Sequence, residues 1–314
     1  MTQPVHASRK RETFTAFILL APALAVLGTF GVAPMIYAGY LSLFRYRYSV
    51  VTFSGVDNYR RAIGDENFWA SVEVTAYYTL LAVPATLMLS LATAMLLRTI
   101  GRGRGVFRTA YFLPYVTSIV AAATVWRVLL NPQFGMANAL LEFFGLPAQA
   151  WLLEPRGILH IATLGYVPIE WGPSLSLCCI VFFEIWHSAG FMIVVLIAAL
   201  ASVPRELEDA ARIDGAGRWQ TAWSVTVPMV APTLFLLAVV GVIGAFQAFN
   251  SFYALTGGVP DAATRNLTMY IYATFYENQQ IGYGAAMASM LAIALAGLTL
   301  AQWRLLGRRV YYES

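Results

Sequence analysis

Apolar residues along the chain are gathered into six long runs that polar stretches separate. A transmembrane helix needs about 20 consecutive apolar residues, and each run reaches that length. The runs cover residues 14–44, 72–97, 106–130, 176–200, 229–249 and 283–306. The first run could also be a cleaved signal peptide, but it stays apolar well beyond the small residues at 21–23, which favours a retained helix. The pattern therefore predicts six membrane-spanning helices and an all-α fold.

Two of the polar stretches are long enough to carry structure of their own. Residues 45–71 are rich in polar and aromatic side chains, and we expect a short interfacial helix there with Tyr59, Phe68 and Trp69 at headgroup level. Residues 133–173 lack the alternating pattern of a globular fold. They predict an extramembrane connection with short helices.

The composition supports this interpretation of the pattern. Hydrophobic residues make up 59% of the 314 positions, charged residues 11%, and the mean hydropathy is +0.64. A soluble domain could not bury so much apolar surface, whereas helices facing lipid can expose it. The net charge of +4 does not indicate a nucleic-acid partner, because the arginines lie beside the apolar runs. The chain is predicted to be an integral membrane protein in contact with lipid.

Basic residues also predict the orientation in the membrane. They concentrate in the N-terminal tail, residues 98–108, residues 204–228 and the C-terminal end. Cytoplasmic loops are enriched in Lys and Arg, so these segments and both termini are expected to be cytoplasmic. The predicted organisation is a tail over residues 1–13, a six-helix domain over 14–306 and a second tail over 307–314.

Residues 204–228 interrupt the apolar pattern more strongly than any other segment. Acidic and basic side chains crowd its first half, and residues 206–213 favour a helix. Gly215 can adopt the left-handed conformation that ends a helix, and a second short helix is expected before Pro228. Small alanines among the charges let another protein's surface come close. We call this segment the coupling loop and predict that it docks a partner.

Catalytic chemistry is not expected in this chain. A phosphate-binding loop needs a lysine after its glycines, and Lys10 in the N-terminal tail is the only lysine. The three histidines are scattered without metal-ligand spacing, and Cys178 and Cys179 are adjacent within an apolar run. We therefore expect no enzyme active site and no cofactor bound by this chain.

The coupling loop resembles the EAA loop of ABC importer permeases, which reads Glu-Ala-Ala, two residues, Asp-Gly-Ala, then about eleven residues to a proline. Here the stretches are Asp209-Ala210-Ala211 and Asp214-Gly215-Ala216, followed by Pro228. The departure is an aspartate where that family usually has glutamate, which keeps the charge on a shorter arm. The stretches GVDNYRRAIGDENFW, FYALTGGVP and IGYGAAMASM resemble the sugar and glycerol-phosphate branch of these permeases, of which maltose permease is typical. The chain lacks that protein's inserted extracytoplasmic domain and extra N-terminal helices.

This resemblance, which covers nearly the whole chain, implies the type I ABC importer permease fold in a bacterial or archaeal inner membrane. It implies a second homologous permease, two separate ATPase subunits that bind ATP and Mg, and an extracytoplasmic solute-binding protein. ATP-driven closure of the ATPase pair would move the coupling loop and open the cavity outward. The residues expected to contact the ATPase are Glu206, Glu208, Asp209, Ala210, Ala211, Asp214, Gly215, Ala216 and Pro228.

Polar side chains within the fourth and fifth runs are the candidates for substrate contact, because polar atoms facing lipid there would be costly. Hydroxyl donors and acceptors beside aromatic rings suit a sugar. We expect Gln247 and Asn250 to share one helical face. The candidate set is Glu184, Trp186, His187, Ser188, Phe191, Gln247 and Asn250. These groups could instead form hydrogen bonds between neighbouring helices.

Other functions remain open from the sequence. The same machinery could import glycerol-3-phosphate or a related phosphodiester, although the fourth and fifth runs contain no Lys or Arg, which favours a neutral sugar. A secondary transporter would usually carry buried carboxylates or broken helices in repeated halves, and the sequence shows no such arrangement. A membrane-embedded scaffold could keep the loop for docking alone.

Overall fold

The computed structural model describes residues 5–47, 50–101, 103–163, 166, 168 and 172–305, and these are mainly helical. Five helical stretches are long and apolar enough to cross a membrane unbroken. A sixth crossing forms if two shorter helices bent by 94° count as one span. The predicted all-helical membrane architecture is confirmed. The predicted C-terminal tail over 307–314 and the first four residues lie outside the described part of the chain.

Long helices alternate with short ones along the chain, and a hairpin follows the first span. Single π-helical turns at Gly28–Val32, Ala222–Thr226 and Ala273–Glu277 join consecutive helices, and a 3-10 turn covers Trp151–Leu153. The elements are α1 (Val5–Leu27), α2 (Ala33–Leu41), β1 (Phe44–Arg47), β2 (Val50–Phe53), α3 (Asp57–Ile63), α4 (Glu66–Thr99), α5 (Arg104–Val116), α6 (Ile119–Leu129), α7 (Met136–Phe143), α8 (Ile158–Ala162), α9 (Leu175–Ala201), α10 (Arg205–Ile213), α11 (Arg218–Thr221), α12 (Val227–Phe246), α13 (Asn250–Thr256), α14 (Leu267–Tyr272) and α15 (Ile281–Leu305).

One compact unit comprises the residues up to Gly64 together with Ile271–Ile293. Its antiparallel hairpin pairs Phe44 with Phe53. Buried Asn58 holds the hairpin to α3, because its Nδ2 donates to the carbonyl of Ser42 at 2.8 Å and to that of Phe44 at 2.9 Å. These bonds satisfy the carbonyl groups of Ser42 and Phe44 where the chain enters the hairpin.

The second unit comprises Asp65–Tyr270 together with the end of α15. Its centre is the long packing of α4 against α9, which α5 and α12 flank. The buried face of α4 carries small hydroxyl residues, and Thr75, Thr79 and Thr86 each donate to the carbonyl four residues earlier, at 2.7 to 2.8 Å. Hydroxyls satisfied within their own helix allow close packing without an unpaired polar group in the membrane.

The third predicted span, over residues 106–130, is not a continuous helix but two helices bent by 94°. α5 ends at Val116 because Thr117 and Ser118 adopt extended backbone angles. The hydroxyl of Thr117 donates to the carbonyl of Pro114 at 2.6 Å. That bond helps to satisfy the Pro114 carbonyl, which loses its helical partner where the helix is interrupted.

The region after the first span also differs from its prediction. The pattern did not predict the hairpin, and Phe68 and Trp69 belong to α4 and not to a separate surface helix. α4 begins at Glu66, six residues before the predicted apolar run, because the Asp65 side chain caps it by accepting from the backbone N–H of Asn67 at 3.0 Å. The part of the predicted interfacial helix that is present is α3, which contains Tyr59.

Candidate functional site

Five of the predicted substrate residues, Glu184, Trp186, His187, Ser188 and Phe191, lie along α9. Glu184, His187 and Ser188 are partly buried, and Phe191 is packed against the bundle. The hydroxyl of Ser188 donates to the backbone carbonyl of Glu184 at 2.7 Å, so it is engaged within its own helix. The Nε2 atom of His187 is buried and, within the described part of the chain, has no hydrogen-bond partner. A polar ligand would supply that partner.

Glu184 lies beside a tyrosine that the sequence did not single out. The hydroxyl of Tyr78 on α4 is close to the Glu184 carboxyl and to Ser251 on α13. It forms a well-aligned hydrogen bond with no described residue, although it is fully buried. Its ring meets Phe252 edge to face at 4.8 Å. Helices α4 and α9 therefore bring buried polar atoms with unused bonding capacity to one place, beside Ser251 of α13.

The broken span supplies aromatic rings to the same region. Tyr115, near the end of α5, stacks on Phe191 with centroids 5.1 Å apart and lies 6.2 Å from the ring of His187. The ring centroids of Trp126 on α6 and Trp186 on α9 lie 5.5 Å apart. This contact covers part of the Trp186 ring, which remains 39% exposed. Pro114 followed by Thr117 and Ser118 was the signal in the sequence that could have located this break.

The two candidates of the fifth span do not share one helical face. α12 ends at Phe246, and Asn250 begins α13, so Gln247 and Asn250 lie on opposite sides of a break and are both exposed. The break is stabilised at the Ala248 carbonyl, which accepts from Asn266 Nδ2 at 2.5 Å and from the Thr268 hydroxyl at 2.6 Å. Carbonyl groups that a break leaves outside the helix require such partners.

Two glycines form a turn after α13. Gly257 and Gly258 have φ angles of +69° and +80°, which glycine adopts without strain. The guanidinium of Arg127 lies over this turn, since a Cβ on Gly257 would be 3.0 Å from its Nη2 atom. Arg127 of α6 therefore lies close to this turn.

The coupling loop has the predicted helix, glycine turn and second helix. Gly215 has φ +90°, and the backbone N–H of Ala216 donates to the carbonyl of Ala211 at 2.9 Å, which closes the end of α10. The second helix does not stop before Pro228 but continues as one stretch from Arg218 to Phe246.

Most of the predicted coupling residues are available to a partner. Glu206, Asp209, Ala210, Asp214 and Gly215 are exposed, as is Pro228, while Ala211 and Ala216 are half-buried. Large apolar side chains on the same loop are also exposed, with Ile213 at 86%, Trp219 at 77% and Trp223 at 63%. Apolar groups beside charged groups suit a protein partner.

Glu208 is the exception, because its side chain faces its own chain. Its Oε1 accepts from Arg98 Nη1 at 2.5 Å and from the Thr226 hydroxyl at 2.9 Å. Arg98 lies in the last turn of α4, and Thr226 lies in the π-helical turn that leads into α12. No local pattern indicated this contact, since Arg98 is 110 positions away.

Comparisons with known proteins agree with this architecture. The trehalose/maltose transport system permease protein MalF of Thermococcus litoralis is 27% identical over 292 residues, which cover 92% of each chain. The sn-glycerol-3-phosphate transport system permease protein UgpA of Agrobacterium fabrum is 28% identical over 303 residues, covering 94% of this chain and 96% of that protein.

A solved structure gives the same fold. It is that of a bacterial alginate ABC transporter in complex with an alginate pentasaccharide-bound periplasmic protein, of which one chain matches with a TM-score of 0.80 at 21% identity, over 99% of this chain and 100% of that chain. The expected ABC importer permease fold is therefore confirmed. The family model described as binding-protein-dependent transport system inner membrane component matches residues 74–310, well over half of the sequence. The chain belongs to the family of binding-protein-dependent transport system inner membrane components.

Proposed function

We propose that this chain is the permease subunit of an ATP-driven importer that carries a neutral di- or oligosaccharide into the cytoplasm. The observation that carries the proposal is the group around Glu184, in which the Tyr78 hydroxyl and the His187 Nε2 are buried with unused bonding capacity. The rings of Tyr115 and Phe191 lie next to it. Sugar hydroxyls would satisfy the polar atoms, and sugar ring faces would pack on the aromatic rings.

The charges in this region favour a neutral cargo over glycerol-3-phosphate. Helices α9, α12 and α13 carry no Lys or Arg, whereas Glu184 supplies a carboxyl group. A phosphate ester bound between these three helices would find no cation on them to neutralise it. Glycerol-3-phosphate is the competing candidate, because one of the related permeases is named for sn-glycerol-3-phosphate transport.

In this proposal, the other subunits of the transporter are separate chains. Two ATPase subunits would bind ATP and Mg and dock on the exposed face of the coupling loop, where Asp209 and Asp214 set the register and Trp219 supplies apolar contact. A second, related permease would complete the cavity, and an extracytoplasmic binding protein would deliver the sugar. Both termini would be cytoplasmic, on the same side as the coupling loop.

The test is co-purification followed by transport. The chain is tagged in its native membrane and solubilised gently, and its companions are identified alongside an Asp209→Ala/Asp214→Ala variant. We expect an ATPase subunit and a second permease with the wild type, and loss of the ATPase from the variant. A chain that comes out alone would contradict the proposal.

The cargo is then tested in proteoliposomes that contain the complete complex and its binding protein. ATP-dependent uptake of labelled maltose, trehalose and glycerol-3-phosphate is compared for wild type and Glu184→Gln. We expect sugar uptake by the wild type, and a reduction of about tenfold in the variant if one charge-assisted hydrogen bond is lost. Uptake of the phosphate ester alone would favour the competing candidate.

A further inference from the structure

The inward-facing carboxyl group of Glu208 joins three separate elements. Its partner Arg98 lies in the last turn of α4, and its partner Thr226 lies in the π-helical turn that leads into α12. Glu208 itself lies on α10. The side chains of Arg98 and Glu208 are 24% and 13% exposed, and Thr226 is 4% exposed. The group is therefore largely shielded, unlike the Asp209–Arg212 pair on the same helix, whose side chains are 64% and 60% exposed.

α10 has few other means of attachment to the bundle. It is nine residues long and has no buried residue. A helix this short is not stable by itself in water, so its orientation depends on what holds it. Pro204 precedes it and the left-handed Gly215 follows it, so α10 does not continue as a helix into a span at either end. Without a fixed contact, a force applied to α10 would turn the helix and would not move the spans.

We infer that Glu208 is a positioning residue that fastens α10 to α4 and α12, so that movement of the docked loop reaches two spans together. This inference rests on the proposed function, because it assumes that an ATPase moves the loop. It assigns Glu208 a role different from that of its exposed neighbours, which contact the partner. A shielded ion pair with a shared hydroxyl holds one geometry better than an exposed pair, which contributes little.

Charge exchange tests this in the complete complex with its ATPase, second permease and binding protein. The variants are Arg98→Glu, Glu208→Arg and the two together. We expect each single variant to keep its ATPase and to hydrolyse ATP while sugar uptake falls about tenfold, because breaking a shielded pair leaves an uncompensated charge. The double variant should recover uptake to within about threefold of wild type, since the pair is restored in reverse.

The exposed pair formed by Asp57 and Arg60 provides the matched control. Its side chains are 52% and 78% exposed, and the closest atoms are 3.8 Å apart. Exchanging these two charges should leave uptake unchanged.

Misfolding of the reversed variants is addressed by a milder change and by a cross-link. Glu208→Gln keeps an oxygen that accepts from Thr226, so its uptake should lie between those of wild type and Glu208→Arg. An Arg98→Cys/Glu208→Cys pair joined by a short thiol-specific linker should still transport, because the two helices are expected to move as one body. Loss of uptake on cross-linking would overturn the inference.

Provided that the wild-type complex transports, two further results would also overturn the role of Glu208. One is release of the ATPase by Glu208→Arg, which would place Glu208 in the docking face. The other is lost uptake in both single variants without recovery in the double variant. A wild-type complex that lacks an ATPase would instead overturn the proposed function, and the role of Glu208 with it.

Discussion

Gly190 on α9 lies directly against the backbone of Tyr111 on α5. A Cβ at Gly190 would overlap the Tyr111 carbonyl oxygen and would lie 2.9 Å from the Cα of Phe112. The two helices approach closely because one of them has no side chain at the crossing, as in other membrane helix pairs with small residues. This crossing holds the end of the broken span, with Tyr115, beside the proposed sugar site.

Gly190→Ala should separate these helices and destabilise the protein by about 1–3 kcal/mol, because the obstructing atoms are backbone and cannot rotate away. The thermal midpoint of the purified chain in detergent measures this. Gly244→Ala on α12 is the matched control, since nothing lies within 4 Å of its Cβ position. Equal midpoints for the two variants would contradict the close crossing.

Gly215→Val in the coupling loop should abolish uptake while the chain still inserts into the membrane. No atom lies within 4 Å of a Cβ at Gly215, so the effect would come from its φ of +90° alone. That conformation costs a residue with a side chain about 1–2 kcal/mol. Gly217→Val is the control, because Gly217 has open space and an ordinary φ of −69°. Gly215→Asn should retain part of the uptake, since asparagine tolerates this conformation.

Asn138 organises the connection between α6 and α9. Its Nδ2 donates to the carbonyls of Pro132 and Gln149, and its Oδ1 accepts from the Gln149 backbone at 3.0 Å and from the Trp151 indole at 2.7 Å. Asn138→Ala should weaken this segment by about 2–4 kcal/mol, because it leaves several partly buried groups unpaired.

Limited trypsin digestion at Arg156, which lies in the same connection, measures the effect of Asn138→Ala as faster cleavage. Gln149→Ala removes only an exposed side-chain bond and should be cleaved like the wild type. Unchanged cleavage of the Asn138 variant would show that other contacts hold the segment.

The Glu154–Arg156 pair predicts how this connection responds to pH. Hydrogen bonds from Arg156, at 2.7 and 2.6 Å, lower the pKa of the buried Glu154 carboxyl below its ordinary value of 4.5. The folded protein therefore binds this proton less readily than the unfolded chain. The stabilisation is complete above the ordinary pKa and is lost as the pH falls through the lowered one.

Glu154→Gln should accordingly lower the thermal midpoint at neutral pH, and the difference from the wild type should shrink as the pH falls below the ordinary carboxyl pKa of 4.5. The measurement is the difference between the two midpoints across that range. A difference that stays constant with pH would mean that the pair contributes through packing and not through charge.

The sequence by itself determined the membrane class, five of the helical crossings and the form of the coupling loop. A bilayer requires about 20 apolar residues per crossing, and a left-handed glycine ends a helix wherever it occurs. These are local requirements, so they can be read from neighbouring residues. The EAA-like stretch around Asp209 likewise indicated the family before the comparisons confirmed it.

Only the tertiary structure decided the bend of the third span, the break between Gln247 and Asn250, and the direction in which Glu208 faces. The last two depend on a partner elsewhere in the chain: the Ala248 carbonyl is satisfied by Asn266, and Glu208 by Arg98. Inside a membrane every polar group needs a partner, and either a neighbouring turn or a distant helix can provide it. The sequence shows which polar residues lie within or beside the apolar runs, but it does not show which helix supplies their hydrogen-bond partners.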